Sequence, residues 1–239
     1  MSMNTEGAAC RTPVALGLAP LGPSASLRDR AYASLKQAIA ETDIYRSREA
    51  IRLDEKEVAE ALGVSRTPVR EAMTLLEQQG FLRTVPRRGV YILRKTKREI
   101  VEMIHMWAAL ESMAARLATL RASDEQLAAL RRLFDTFCEA APVARVDAYS
   151  EANLAFHQLL VELSGSQVLI EAVRNILVHV RAIRRTTIAR NDRAARSIEE
   201  HMRIIEALEA RDTERAERLV RQHSLDLAAF VEAHCDFLD

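Results

Sequence analysis

The residues best equipped for chemistry in this 239-residue chain are three histidines, His157, His201 and His223. A neutral imidazole offers a nitrogen lone pair to a cation such as Zn²⁺ or Ni²⁺. His157 follows Asn153 by four residues, which puts both on one face of a helix. His201 stands in Glu199-Glu200-His201-Met202 and His223 in Arg221-Gln222-His223-Ser224. Spacing alone leaves two readings open, a metal site in a helical core or three scattered structural histidines. A second set is basic. Arg66 and Arg70 are four apart beside Ser65 and Thr67, and Arg87-Arg88-Gly89 follows. Arginine bonds the O6/N7 edge of guanine bidentately, so this set suits DNA. His105, His179 and His234 read as structural or surface residues, and Met103, Met106 and Met113 as core.

Residues 54–80 must position the basic set, and they read as two short helices around a tight turn. Asp54 caps the first helix, whose apolar face is Val58, Ala61 and Leu62. Gly63 permits the turn, Ser65 caps the second helix, and Pro68 sits in its first turn, where a missing N–H is harmless. Val69, Met73 and Leu76 recur at i, i+4 and i+7, and Gly80 suits the position after the helix end. A helix-turn-helix presents the N-terminal end of its second helix to the major groove. A plain helical hairpin with solvated arginines has the same periodicity, but the continuation favours DNA. Two short apolar strands flank Pro86-Arg87-Arg88-Gly89, giving a β-hairpin wing with two cations at its tip.

The histidines need a different scaffold. From residue 97 onward the pattern is helical throughout, with candidate helices 97–121, 124–140, 147–163, 167–190, 194–210 and 213–235. Breaks fall at Ser123, Pro142, Gly165, Asn191 and Asp212. Six amphipathic helices with short connections specify an antiparallel bundle. One more helix, 27–41, precedes the helix-turn-helix with Ala31, Leu35 and Ile39 as its core face. The net charge of zero hides an asymmetry. Residues 27–98 hold 16 Lys/Arg against 10 Asp/Glu, and residues 99–239 hold 17 against 23. The basic part suits phosphate, and the acidic part should project away from it. Three widely spaced cysteines, Cys10, Cys138 and Cys235, suggest reduced thiols in a cytoplasmic protein. No apolar run reaches membrane-spanning length, so no membrane partner is expected. Residues 1–26 read as a flexible tail.

Residues 27–93 resemble the winged helix-turn-helix of GntR-type bacterial regulators. The phrase Gly63-Val-Ser-Arg-Thr-Pro-Val-Arg-Glu-Ala72 is close to that family's signature, and the Arg-Arg-Gly wing follows at the family's distance. The resemblance implies DNA contacts from Lys56, Ser65, Arg66, Thr67, Arg70, Arg87, Arg88 and Gly89. Lys56 stands where many relatives have Arg. It reaches phosphate without the planar fork that reads bases. Residues 42–53 are longer than in relatives and lack their Pro and Gly. Residues 99–239 resemble the all-helical FCD effector domain of the FadR branch, through Leu110-Glu111, Phe156-His157, Ser164-Gly165, Glu200-His201 and Gln222-His223.

In metal-binding members of that branch three histidines and an Asp hold the ion. These correspond to His157, His201 and His223, with Asn153 at the Asp position. A neutral donor set leaves a divalent charge uncompensated, which points to a small carboxylate effector beside or on the metal. Trp107 replaces an Arg that in many relatives can hold the effector carboxylate, so Trp107 either lines the candidate pocket or is packing in the core or the dimer interface. Arg181, Arg184 and Arg185 offer replacement cations.

The expected architecture is mainly α. A winged helix-turn-helix (27–93) and a linker (94–98) precede a six-helix effector and dimerisation bundle (99–239). The expected function is a homodimeric, metabolite-controlled DNA-binding regulator, a repressor on a pseudo-palindromic operator, and not an enzyme. Two alternatives stand beside it. One is a metal-dependent hydrolase-like enzyme with a DNA-binding appendage, although no His-Glu-x-x-His motif or general base supports it. The other is an architectural DNA-binding protein without an effector.

Overall fold

A computed structural model describes residues 26–42, 44–45, 49–135, 137, 146–188, 190 and 193–239. Helix α1 (Leu27–Glu41) starts at Ser26, whose hydroxyl accepts the Asp29 N–H, and buries Ala31, Leu35 and Ile39. Helices α2 (Glu55–Leu62) and α3 (Arg66–Gln78) form the helix-turn-helix. Asp54 accepts the amides of Lys56 and Glu57, and Gly63 turns the chain at φ +63°. Ser65 occupies the cap position of α3, but its hydroxyl bonds no helix amide. The third helical residue is Pro68, which has no N–H to give.

The wing carries one strand beyond the expected hairpin. Strands β1 (Arg52–Leu53), β2 (Leu82–Val85) and β3 (Gly89–Ile92) form an antiparallel sheet in the order β1-β3-β2. Two residues are too few to show alternation, so β1 leaves no mark in the sequence. Arg52 lies across the hairpin tip, and a Cβ on Gly89 would stand 2.8 Å from its Nε. Glycine is favoured there by its φ of +114°, whereas the Arg52 side chain could move aside for a Cβ.

Six helices follow: α4 (Lys97–Arg121), α5 (Asp124–Arg132), α6 (Val146–Leu163), α7 (Gln167–Thr187), α8 (Arg193–Glu209) and α9 (Thr213–His234), then a 3-10 turn, Asp236–Leu238. Reciprocal caps, Thr96 with Glu99 and Ser123 with Gln126, start α4 and α5. Helix α4 lies along α9 and also meets α6 and α7. Helix α5 ends at Arg132, well short of the expected 140. The expected breaks at Pro142 and Asn191, and the tail before Ser26, lie outside the described residues. No described helix is long and apolar enough to cross a membrane. Met106 and Met113, expected in the core, are 52% and 44% exposed on α4.

One apolar core runs from the N-terminal head into the bundle. It includes Leu35, Tyr45, Leu76 and Phe81 from the head and Ile104, Trp107, Val180 and Val231 from the bundle. Burying side chains of this size stabilises by roughly 1.5–3 kcal/mol each. At the seam, His179 of α7 stacks on Phe81 with ring centroids 6.0 Å apart, and its Nδ1 lies 2.9 Å from the Tyr45 hydroxyl. That hydroxyl also accepts the Lys95 amide, and Arg185 donates to the Glu41 carbonyl at 3.2 Å.

Burial, and after it the charge of Lys95, pushes the His179 pKa down to about 4, while Glu99 opposes them weakly. Below its ordinary value of 6.5 the unfolded chain takes up a proton that the folded seam refuses. The stability due to His179 is thus complete above pH 6.5 and is lost as pH falls toward 4. From near-neutral pH to about pH 5 this loss should be about 2 kcal/mol. His179→Phe keeps a ring on Phe81 and cannot titrate. The difference between wild-type and variant urea midpoints across that range should show the effect, and parallel curves would place the acid sensitivity elsewhere.

Candidate metal centre and DNA-reading face

Three helices bring the histidines together. His157 comes from α6, His201 from α8 and His223 from α9, and one ligating nitrogen of each lies within 4.8 Å of the other two. All three are at least 97% buried. Burial holds each imidazole well below its ordinary pKa. For His157 and His223 the next cause is the Arg184 charge, and for His201 it is His223. The rings are therefore neutral, which is the form that ligates.

The partners of the rings decide which nitrogen faces inward. His157 Nδ1 meets Glu111 Oε1, His201 Nδ1 lies 2.6 Å from the Ser197 carbonyl, and His223 Nδ1 lies 2.6 Å from Glu200 Oε2. Each acceptor fixes the proton on Nδ1 and leaves Nε2 with its lone pair. Nε2 of His157 and of His201 are buried without a partner, and so are both polar atoms of the Asn153 side chain. Buried polar atoms without partners are uncommon in folded proteins. Two of these four atoms belong to the neutral triad, which fits a bound cation, and Asn153, one helical turn before His157, offers Oδ1 as a candidate fourth donor.

Arg184 of α7 enters the same space. Its Nη1 donates to His223 Nε2 at 3.2 Å and its Nη2 to Ser224 at 3.4 Å, while its Nε is buried without a partner. Glu111 balances this charge. It is fully buried and accepts Trp107 Nε1–H at 2.7 Å and the Ser224 hydroxyl at 2.9 Å besides His157. Burial pushes its carboxyl up, against Arg184 and these donors. Trp107 is therefore tied to the centre through Glu111, and it also borders an outer cavity of about 250 Å³ shared with Arg181. Arg181 stands at outer clefts along α7 and not at the triad, and Arg185 is engaged with Glu41 and Glu151. Of the three arginines named as replacement cations, Arg184 alone reaches the triad. The sequence signals for Glu111 and Glu200 were the Leu-Glu and Glu-His pairs, but their bonds to His157 and His223 needed the fold.

Lys56, Ser65, Arg66, Thr67, Arg70, Arg87 and Arg88 are exposed and Gly89 is half-buried at the wing tip. Glu55, at the start of α2, pairs with both reading arginines, at 2.9 Å to Arg70 and 3.2 Å to Arg66. Arg70 chiefly holds the Glu55 carboxyl below its ordinary range. Sequence reasoning missed Glu55 because eleven and fifteen residues separate it from these partners. It missed Arg52 because β1 was not visible.

Comparison with known proteins finds two family matches. Residues 27–92 match the bacterial regulatory proteins of the gntR family, and residues 102–226 match the FCD domain. The Nta operon transcriptional regulator of Aminobacter aminovorans is 35% identical over 142 residues, which are 59% of this chain and 66% of that protein. The HTH-type transcriptional repressor RspR of Escherichia coli is 29% identical over 132 residues, 55% of this chain and 58% of that one. The chain thus spans two thirds or less of the length of these relatives. The E. coli McbR/YncC structure superposes with a TM-score of 0.72 at 24% identity, covering 89% of this chain and all of that one, which shows a shared fold. These relatives are transcriptional regulators, and the reading of the chain as a metal-dependent hydrolase falls away. The chain belongs to the GntR family of bacterial regulatory proteins, in the branch that carries an FCD domain.

Proposed function

We propose that this protein is a homodimeric repressor that reads a pseudo-palindromic operator and responds to a small carboxylate held with a divalent metal in its bundle. The observation that carries the sensing half is the mutual approach of three buried imidazoles, with His157 Nε2, His201 Nε2, Asn153 Oδ1 and Arg184 Nε buried without partners. Asn153, His157, His201 and His223 would hold the metal, and imidazole favours Zn²⁺ or Ni²⁺. The metal would supply positive charge and a coordination position for a carboxylate oxygen. With Asn153 contributing no charge, the balancing carboxylates are one step back, Glu111 behind His157 and Glu200 behind His223. An anionic effector completes the balance and has Arg184 as its second anchor.

The DNA half rests on the exposed cations of α3 and the wing. Arg66 and Arg70 read bases, Lys56 and the wing arginines meet phosphate, and Ser65, Thr67 and Gly89 let the backbone approach. One short helix reads few base pairs, so a two-fold pair of heads is needed. Helix α4 supports this pairing. Met106, Met113 and Leu120 lie exposed at seven-residue spacing, with Leu110 and Leu117 half-buried between them. Two antiparallel copies of this stripe meet about Met113. The repressor sign follows the relative described as a repressor.

Protein purified without chelator or affinity tag should carry near one metal per chain, and His157→Ala/His201→Ala should carry none. No metal in either would leave the histidines as hydrogen-bonding pocket residues. Asn153→Asp should tighten the metal by about tenfold or more, since it restores a charged ligand. In chelator the same variant should melt below wild type, because its carboxylate is then buried without the metal and the one charge on Arg184 already faces Glu111. A variant no less stable than wild type in chelator would mean Asn153 does not face the site. Operator titrations should separate the head's contacts. Arg66→Ala or Arg70→Ala should cost about 1–3 kcal/mol and relax sequence preference, whereas Arg88→Ala should weaken all sequences alike and flatten the salt dependence. Equal losses of specificity from all three would contradict this assignment. Met113→Glu should shift sedimentation from dimer to monomer, and an intact dimer would place the interface elsewhere. A thermal melt that no carboxylate shifts would favour an effector-independent architectural protein.

A further inference from the structure

Arg52, on β1, lies between the two elements of the head proposed to meet DNA. On one side it reaches the wing tip, where its Nε lies 2.8 Å from the place that a Cβ on Gly89 would take. On the other it comes near the start of α3. The amides of Lys56 and Glu57 hold the Asp54 carboxyl below its ordinary value, and the charges of Arg52 and Arg66 both add to that pull, so both guanidinium groups lie close to Asp54. Strand register explains the placement. Arg52 pairs with Tyr91 and Tyr91 with Arg83, so the three share one face of the sheet. Leu82 and Ile92, one residue along, are buried on the opposite face. The Tyr91 hydroxyl donates to the Arg88 carbonyl at 3.1 Å and ties this outward face to the tip.

Arg52, Arg87 and Arg88 are all exposed, and none forms an ion pair among the described residues. The carboxylates at the start of α2 are engaged elsewhere, Asp54 by the amides of Lys56 and Glu57 and Glu55 by Arg66 and Arg70. Three cations at one hairpin tip repel one another and favour an anionic partner. We propose that Arg52 is a phosphate contact, set against the sugar-phosphate strand that passes between the groove entered by α3 and the wing. The major groove is bounded by such a strand on each side, so a protein with one element in the groove and another beside it straddles that strand. A cation between the two elements faces it. Phosphate contacts fix the register and orientation of a protein on the duplex and carry no sequence information. Arg52 would thus set how α3 enters the groove without reading a base. The inference rests on the DNA half of the proposed function and is independent of the histidine centre.

The probe is the duplex that the full chain enriches from a random-sequence pool, with a scrambled duplex of the same length beside it. Binding is followed by fluorescence anisotropy between about 50 and 200 mM salt. Arg52→Gln should weaken both duplexes alike, by about threefold to tenfold, and reduce the salt slope by about 0.9, the value for one phosphate. Arg52→Lys should keep the wild-type slope, because an ammonium also neutralises a phosphate. Arg83→Gln removes the same charge from the same sheet row at its opposite edge and should leave the slope unchanged. Without DNA, Arg52→Gln should melt with wild type, since the side chain is exposed. A wild-type slope left intact by Arg52→Gln would overturn the inference and leave the reading arginines standing. Equal losses in Arg52→Gln and Arg83→Gln would also overturn it, since net charge alone would then suffice. So would a loss confined to the enriched duplex, which would make Arg52 a base reader. Wild-type binding with no salt dependence would sink the DNA half of the proposed function together with this inference.

Discussion

Exclusion of water from the middle of the bundle is the constraint on which the rest of the site depends. In water each imidazole would be half-protonated near pH 6.5 and would turn freely. Here burial removes the charge, and three acceptors from three different places, Glu111, Ser197 and Glu200, fix the tautomers. The Nε2 lone pairs of His157 and His201 are then left without a partner, while that of His223 meets Arg184. Such a centre is under-satisfied, and Arg184, the cation beside it, donates to His223 and Ser224. Anything that supplies positive charge to the nitrogens, or negative charge to the arginine, relieves an electrostatic deficit created by the fold.

The same helix that carries Arg184 also touches the DNA-reading head. Five residues separate Arg184 from His179, so α7 presents one side chain to the triad and another to Tyr45 and Phe81. Arg185 adds a bond to the end of α1. If α7 moved as a body, a small rotation at Arg184 would reach the head through His179 and Arg185. Regulation by this route requires that the ligand bind the two placements of α7 with different affinity. Arg184 is suited to that, because its bond to His223 occupies the nitrogen that a metal would need.

Much of this was legible in the chain. Local rules fixed the head: the Asp54 cap, the Gly63 turn and the i, i+4, i+7 apolar run of α3 each act over a few residues. The helices of the bundle were visible for the same reason, and Asn153 with His157 could be placed on one face from their spacing. Convergence was not legible. Nothing local in the sequence says that α6, α8 and α9 turn their histidines toward one point, and only the family pattern suggested it. The second rank of partners was hidden more deeply, since Glu111 lies 46 residues from His157 and Glu55 lies 15 from Arg70. Met106 and Met113 were misplaced because methionine at helical spacing fits a core and an interface equally well.

The apolar core between head and bundle has a thermodynamic consequence. Two domains joined by a loose tether melt separately, but a shared core makes them one cooperative unit. A ligand held deep in the bundle then stabilises the winged head as well, though it touches none of its residues. The cellular lifetime of the DNA-reading surface would follow the supply of that ligand, since a chain that opens less often is cut less often by proteases. Abundance and occupancy would be tied together, and a cell short of the ligand would hold fewer copies of the regulator as well as a different conformation of it.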